Sequence, residues 1–198
     1  MGHPSGTPEM HGGLTPTQNQ IPVTKPFTGV AVGMGSNRGD RFRHLVTAAR
    51  ELRDLPESRG FKFSRIYESE PVNCRDPFKF LNAAAYFETR IQPHDLLKML
   101  MKLEQRAGRE RPYPNAPRSL DLDLLFFRDL VVRDEVLTLP HPRMANRLFV
   151  LTPLAEVWKD HLHPLEGISV AHLEKRCLRE AAAADVIWKY HRQWSAEL

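Results

Sequence analysis

The sequence is poor in cysteine and contains no long apolar run. Its two cysteines, Cys74 and Cys177, lie far apart and in no spacing typical of metal ligands. A disulfide-rich scaffold is therefore excluded, and a reducing compartment is the simpler interpretation. No apolar run approaches the roughly 20 residues that a membrane-spanning helix needs. A secretion signal is also missing at the N-terminus, so we expect a cytoplasmic protein with no membrane partner.

The sequence also lacks a strong excess of charge. Its 28 Lys and Arg residues face 24 Asp and Glu residues, which gives a formal charge of +4. Such a balance permits an anionic partner without identifying one. We expect that the protein is a monomer and that it has no nucleic-acid partner. Residues 1–26 have few large apolar side chains and cannot bury enough surface to offset their ordering entropy. We therefore expect a poorly ordered tail followed by a single domain over residues 27–198.

Apolar periodicity predicts elements in the order β-α-β-β-α-β. The predicted strands cover residues 27–34, 61–67, 81–89 and 119–127. One helix follows the loop at 35–39, and a second begins at Pro93 and ends at Gly108. An edge strand over 131–139, a wholly or partly helical segment over 144–157 and one or two helices between 170 and 190 complete the chain. This order is the signature of a ferredoxin-like α+β fold, an antiparallel sheet with helices on one face, here with C-terminal helical additions.

Two acidic residues stand in the middle of an otherwise apolar strand. Side chains alternate between the faces of a strand, so Asp121 and Asp123 share one face while Leu122, Leu124 and Phe126 point to the other. Two carboxylates about 5 Å apart repel each other by roughly 3 kcal/mol at an effective dielectric constant of about 20. A divalent cation such as Mg²⁺, which prefers carboxylate and phosphate oxygens, would offset this repulsion.

The residues around the acid pair favour phosphate chemistry. Arg109, Arg111 and Arg118 flank the pair, and arginine binds phosphate oxygens in a bidentate manner. Metal-binding acids beside arginines are what phosphoryl transfer requires. The alternative is a solvated strand face whose acids simply pair with nearby arginines.

Two further segments carry candidate site residues. His141 lies between two prolines, with Arg147 and Phe149 after it, although each could be structural. Asn82 begins an apolar strand, with Phe80 two residues earlier on the same face. The Phe80 ring could stack on a flat heterocycle while the Asn82 amide forms hydrogen bonds with its edge. A purely structural role, with Phe80 at a strand edge and Asn82 in a turn, is an equally good explanation.

A glycine-containing loop at residues 33–37 is a weak signal by itself. It lacks the third glycine of a dinucleotide motif and the Gly-Lys-Ser/Thr of a P-loop. A tight turn between a strand and a helix explains it equally well.

Together these segments resemble the 6-hydroxymethyl-7,8-dihydropterin pyrophosphokinase family, over about residues 27–190. The Arg-x-x-Asp-x-Asp segment and the Pro-His-Pro segment are highly specific in combination. The matching segments, in chain order, are Gly35-Ser36-Asn37-x-Gly39-Asp40, Tyr67-x-Ser69-x-Pro71, Phe80-x-Asn82, Glu104 through Gly108-Arg109, Pro117-Arg118-Ser119-Leu120-Asp121-Leu122-Asp123, and Pro140-His141-Pro142 through Arg147-x-Phe149-Val150-Leu151.

The resemblance implies transfer of diphosphate from ATP to the pterin hydroxymethyl group, which yields the pterin diphosphate and AMP in folate biosynthesis. It implies ATP as co-substrate and two Mg²⁺ ions held by Asp121 and Asp123, with Arg109 and Arg118 as further catalytic residues. The implied ATP-binding residues are Glu104, Arg109, Arg118, Leu124, Thr138, His141 and Arg147. The implied pterin-binding residues are Ser69, Val72, Phe80, Asn82, Asp121 and Phe149.

Two other functions compete with this interpretation. A ferredoxin-like sheet with basic residues could bind RNA, but the chain has no RNP-type aromatic motif. A metal-dependent nuclease would also use paired acids and Mg²⁺, yet it would not explain the Phe80-x-Asn82 and Pro-His-Pro segments.

Overall fold

The computed structural model describes Gly2 and residues 25–71, 78–108, 118–181 and 186–194. Within those residues, no helix is both long enough and apolar enough to cross a membrane. The strands are β1 (Thr28–Ser36), β2 (Ser58–Phe63), β3 (Tyr67–Ser69), β4 (Phe80–Thr89), β5 (Asp121–Phe127), β6 (Val132–Arg133), β7 (Thr138–Leu139) and β8 (Ile187–Lys189). The helices are α1 (Arg41–Arg53), α2 (Pro93–Arg106), α3 (Leu148–Trp158) and α4 (Val170–Glu180), with a short 3₁₀ helix at Met144–Asn146.

The main sheet is antiparallel and has the order β5-β1-β4-β3-β8, with β2 also paired to β4. One face contributes Val32 and Leu122 to a core that includes residues of α1 and α2. The other face contributes Ala31 and Leu125 to a second core that includes residues of α3 and α4. The prediction of mixed helices and antiparallel strands is thus confirmed. The two helices of the predicted β-α-β-β-α-β order, α1 and α2, share one face as predicted. The C-terminal helices α3 and α4 cover the other face, because both faces of the sheet are apolar and each needs a cover.

The two helices of the first face begin as their sequences indicate. The Asp40 side chain accepts a hydrogen bond from the backbone N–H of Arg43 at 3.0 Å, so it caps α1. Pro93 occupies the first turn of α2, where its missing N–H costs nothing. Leu96, Leu100 and Leu103 then follow at helical spacing and are buried.

A bulge in β5 changes the face on which its last residues lie. The register with β1 shifts between Ala31 and Val32, which pair with Phe126 and Leu124, so Leu125 is an extra residue. Leu122 and Leu124 join the first core as predicted, whereas Phe126 joins the second core. The prediction that Phe126 shares a face with the leucines was therefore wrong, because strict alternation fails at a bulge.

The predicted strand over 61–67 is interrupted by a serine. Ser64 Oγ accepts a hydrogen bond from the backbone N–H of Ala84 at 2.9 Å and donates one to the carbonyl of Arg65 at 2.8 Å. The hydroxyl thus takes the place of a ladder partner and divides the segment into β2 and β3. The edge of β4 is consequently shared by two short strands.

In the second half of the chain, one prediction needs correction and another is confirmed. The single edge strand expected over 131–139 is a hairpin of β6 and β7, because Asp134 Oδ1 accepts hydrogen bonds from the N–H groups of Val136 and Leu137 and forms a turn. The expectation of one or two helices between 170 and 190 is met by one, α4, which ends at Glu180. The β-branched and aromatic pair Ile187-Trp188 instead forms β8 on the open edge of β3.

A hydrogen-bonded cluster ties α3 to the sheet. Tyr67 Oη donates to Glu156 Oε1 at 2.6 Å, and Arg65 donates to the same carboxylate from its backbone N–H and from Nε, both at 2.7 Å. Burial, followed by the bond to Glu156, raises the pKa of Tyr67 to about 12. Although burial alone would raise the pKa of Glu156, the hydrogen bonds from Arg65 and Tyr67 lower it.

We predict that Glu156→Gln lowers the free energy of unfolding by about 1–3 kcal/mol at pH 7, because the amide weakens hydrogen bonds made to a charged acceptor. The folded-state pKa of Glu156 lies below its ordinary value of 4.5, so the stabilisation is present above that value and is lost as the pH falls through the folded value. Urea unfolding between pH 3 and pH 7 measures it. Glu135→Gln, at an exposed turn position, is the control. If the difference in the free energy of unfolding between the wild type and Glu156→Gln were the same at pH 3 as at pH 7, the prediction would be contradicted.

Candidate active site

A row of aligned residues crosses the sheet at the C-terminal end of β1. Gly35 pairs with Asp121 of β5 on one side and with Asn82 of β4 on the other. Directly paired residues point to the same face, so Asp121 and Asn82 flank Gly35 on the face covered by α3. A side-chain Cβ at Gly35 would lie 3.6 Å from Asp121 Cβ and 4.0 Å from Asn82 Oδ1. The glycine therefore leaves a slot between these two side chains, whose strands lie about 10 Å apart, or two strand spacings.

The acid pair lies together as the sequence indicates. Asp123 pairs with Gly33 one step further along β1, on the same face as Asp121. Arg118 Nη1 lies 3.3 Å from Asp121 Oδ2, and their side chains are 25% and 16% exposed. The alternative in which an acid pairs with a nearby arginine is thus realised for Asp121, and it offsets part of the repulsion between the carboxylates.

A second arginine approaches the acids from the start of α3. Burial is the main cause that lowers the pKa of Arg147, the charge of Arg143 adds to it, and Asp123 and Asp121 act in the opposite direction. The guanidinium carbon of Arg147 also lies 5.6 Å from the ring centre of Phe149. Two arginines and two carboxylates therefore face the same space.

His141 lies beside these charged side chains, and its own ring is neutral. Its backbone N–H donates to the carbonyl of Leu125 at 3.0 Å, which fixes it beside β5. Burial, then the charges of Arg147 and Arg143, lowers the pKa of His141 to about 4. Nδ1 accepts a hydrogen bond from the N–H of Arg143 at 3.3 Å, so the proton of the neutral ring lies on Nε2, which can donate to an anion.

Glu104 lies behind the acid pair. It is 4% exposed, and its Oε1 accepts a hydrogen bond from the backbone N–H of Leu122 at 2.7 Å. That N–H belongs to the strand residue between Asp121 and Asp123, on the edge strand β5. The carboxylate of Glu104 therefore fixes the strand that carries the acids.

The opposite side of the slot is polar and partly aromatic. Asn82 is 4% exposed, and its Nδ2 donates to Ser69 Oγ at 3.0 Å across the β3–β4 pair. Phe80 begins β4 on the same face and is half-buried. Phe149, also half-buried, is the second residue of α3.

The remaining predicted site residues are less central or lie elsewhere. Thr138 is exposed on β7, and Leu124 is 3% exposed in the first core, so only its backbone could contact a ligand. Arg109 and Val72, which the sequence predicts as ATP-binding and pterin-binding, lie outside the described residues.

Two residues at this site were not predicted from the sequence. Gly35, which forms the floor of the slot, belongs to the loop that a tight turn would explain equally well. Asn37 is 2% exposed and bonds to the backbone of Arg118. Its position in the Gly-Ser-Asn turn of the matching motif was the available signal.

The buried donors at this end of the sheet point to an acceptor-rich ligand. In the described part of the chain, five buried side-chain atoms have no hydrogen-bond partner, and Asn37 Nδ2 and Arg118 Nε are two of them. Buried donors without partners are costly unless a ligand or water satisfies them. An anionic ligand such as a phosphate chain supplies suitable acceptors.

The residues present fit a hard divalent cation that is shared with a substrate. Among the described residues, no group of three or more His, Cys, Asp and Glu side chains could hold a metal ion by itself. Asp121 and Asp123 offer carboxylate oxygens on one face, and Mg²⁺ commonly binds one or two carboxylates together with substrate phosphates. The donor set therefore suits Mg²⁺ bound with a phosphorylated ligand.

An α+β protein with paired carboxylates, arginines and a neutral histidine around one slot is typical of enzymes that handle phosphorylated substrates. The model of the 7,8-dihydro-6-hydroxymethylpterin-pyrophosphokinase (HPPK) family matches residues 31–159. The chain belongs to this family, as its motifs predicted.

Curated relatives support this assignment. The 2-amino-4-hydroxy-6-hydroxymethyldihydropteridine pyrophosphokinase of Bacillus subtilis is 41% identical over 126 residues, which cover 64% of this chain and 75% of that protein. The enzyme of the same name from Aquifex aeolicus is 34% identical over 69% of this chain and 84% of its own length. The folic acid synthesis protein fol1 of Pneumocystis carinii is 34% identical over 72% of this chain. The matched part spans only 19% of that larger fungal protein.

Solved structures support the fold. A crystal structure of Plasmodium falciparum HPPK-DHPS superposes with a TM-score of 0.63 at 14% identity, over 78% of this chain and 44% of the other. At that identity the similarity establishes the architecture alone.

We predict that the ring of His141 stays neutral down to about pH 4, because burial and two arginines disfavour its cation. NMR titration of the ring resonances measures the pKa. In Arg147→Ala the midpoint should rise, since one opposing charge is gone. A wild-type midpoint near 6.5, the value of an unperturbed histidine, would contradict the proposed environment.

Proposed function

We propose that this chain transfers diphosphate from ATP to the hydroxymethyl group of 6-hydroxymethyl-7,8-dihydropterin and releases AMP, as a step of folate biosynthesis. The observation that carries the proposal is the convergence of two carboxylates, two arginines and His141 beside the slot over Gly35. The names of the bacterial relatives supply the substrate class.

The slot side of the site is proposed to bind the pterin. Asn82 lies across Gly35 from Asp121, so the amide and the carboxylate can bond to opposite edges of a flat ring. Phe80 and Phe149 are proposed to stack on the two faces of that ring. Ser69 and Val72 are proposed to contribute backbone hydrogen bonds.

The charged side is proposed to bind the ATP phosphates. Arg118 and Arg147 supply positive charge, and neutral His141 donates from Nε2 without adding charge. Arg109, Thr138, Glu104 and Leu124 are proposed as further ATP contacts on the family resemblance. Since Glu104 already bonds to the N–H of Leu122, its effect on ATP would act mainly through β5.

Asp121 and Asp123 are proposed to hold two Mg²⁺ ions. The bound cations would neutralise phosphate charge and orient the phosphate chain. The carboxylates share one face and stand beside the slot, so they can present the nucleotide to a pterin hydroxyl. The hydroxyl oxygen forms a bond to the β-phosphorus of ATP and loses its proton to solvent. The bond from that phosphorus to the α,β-bridging oxygen breaks, and AMP leaves with that oxygen. Arg118 is placed to stabilise charge that develops during this step.

The wider organisation follows the same resemblance. The order β5-β1-β4-β3 with α1 and α2 as crossovers supports a ferredoxin-like core, to which α3, α4 and β8 are added. We propose that residues 27–198 are one catalytic domain and that residues 1–26 lie outside it. A monomer in the cytoplasm, with no nucleic-acid or membrane partner, remains our proposal.

The test is nucleotide analysis with purified protein, Mg²⁺ and ATP, with and without the hydroxymethyl pterin. AMP should form in equal amount to the pterin diphosphate and only when the pterin is present. Release of ADP, or nuclease activity on RNA or DNA without AMP formation, would refute the proposal.

We predict that Asp121→Asn and Asp123→Asn each reduce turnover by about 100-fold or more, because each removes a carboxylate charge that would hold the cations against the phosphates of the transition state. The fold should survive, since both acids are only partly buried and repel each other. Asp129→Asn, whose side chain is 70% exposed, is the matched control. Circular dichroism and steady-state kinetics measure both effects, and wild-type turnover in either site variant would exclude its role.

A further inference from the structure

Asn37 makes two hydrogen bonds to the backbone of one residue, 81 positions away in sequence. Its N–H donates to the carbonyl of Arg118 at 3.1 Å, and its Oδ1 accepts from the N–H of Arg118 at 2.8 Å. Asn37 is 2% exposed, so water does not compete strongly for these groups. Both backbone groups of Arg118 are therefore fixed to the loop that follows β1.

This pair of bonds acts on a residue that points into the site. Arg118 stands three residues before Asp121 and reaches its carboxylate with Nη1 at 3.3 Å. Its Nε is buried without a hydrogen-bond partner, as is Asn37 Nδ2. A long side chain is placed accurately only when its backbone is fixed, because its own rotamers are numerous.

We propose that Asn37 is a positioning residue for Arg118, and that it holds the guanidinium in place to stabilise charge during diphosphate transfer. This inference rests on the proposed function. Asn37 acts through Arg118, and its loss should therefore affect the chemical step more than the binding of the pterin.

The first test compares Asn37→Ala with Ser64→Ala. Ser64 is 1% exposed and also accepts a hydrogen bond from a backbone N–H, that of Ala84, so its loss is a comparable structural defect away from the charged group. We expect Asn37→Ala to lower kcat about tenfold or more and to change KM for the pterin less than threefold. Ser64→Ala should lower Tm by a similar amount and leave kcat within about twofold. If kcat falls equally in both variants, Asn37 has only a structural role and the proposal is wrong.

The second test is a double-mutant cycle with Arg118→Ala. If Asn37 acts through the guanidinium, Asn37→Ala should cause no further loss of kcat when that guanidinium is already absent. Losses that multiply in the double variant would overturn the proposal.

A third measurement does not depend on activity. Hydrogen exchange of the Arg118 amide, followed by NMR, should be slow in the wild-type protein and much faster in Asn37→Ala, while the amide of Ala84 changes only in Ser64→Ala. An unprotected Arg118 amide in the native wild-type protein would overturn the proposal even if AMP is formed. If this amide is protected but no AMP is formed, the hydrogen bond between Asn37 and Arg118 is supported and the proposed function is refuted.

Discussion

Gly35 lies in the strand that separates the two halves of the site, and the site depends on its missing side chain. β1 is the strand between β4 and β5, so any side chain at position 35 on this face would occupy the space between Asn82 and Asp121. Antiparallel register then fixes which residues face each other across the glycine. The floor of the slot and the identity of its two polar walls thus follow from strand pairing.

The charges at this end of the sheet stabilise one another before any substrate is bound. Asp121 is paired with Arg118, and the acids counteract the effect of burial on Arg147. The acid pair can therefore form ion pairs with arginines and also serve in phosphate chemistry. The same arginines that offset the carboxylate charge can bind phosphate oxygens instead. Because the opposite charges offset one another, the rest of the fold needs to contribute little free energy to hold the two carboxylates close together.

Sequence periodicity predicted the β-α-β-β-α-β core and the shared face of Asp121 and Asp123, because both depend on local alternation and helical spacing. It failed where one side chain or one extra residue overrides the local pattern. Ser64 interrupts a strand through its hydroxyl, and Leu125 bulges and turns Phe126 to the other core. The β8 strand exists only because β3 offers it an open edge, which is information that no local window contains.

The same distinction between local and long-range information explains which site residues the sequence could indicate. Asp121, His141 and Asn82 could be proposed from their immediate neighbours, since each is an unusual residue type in its segment. The matching motif contains Asn37, but its role could not be inferred from it, because an asparagine after a strand is typical of a turn. That role depends on Arg118 lying beside it in the folded chain. The loop after β1 lies against the start of β5, so a turn residue becomes the fixed point from which the arginine reaches the acids.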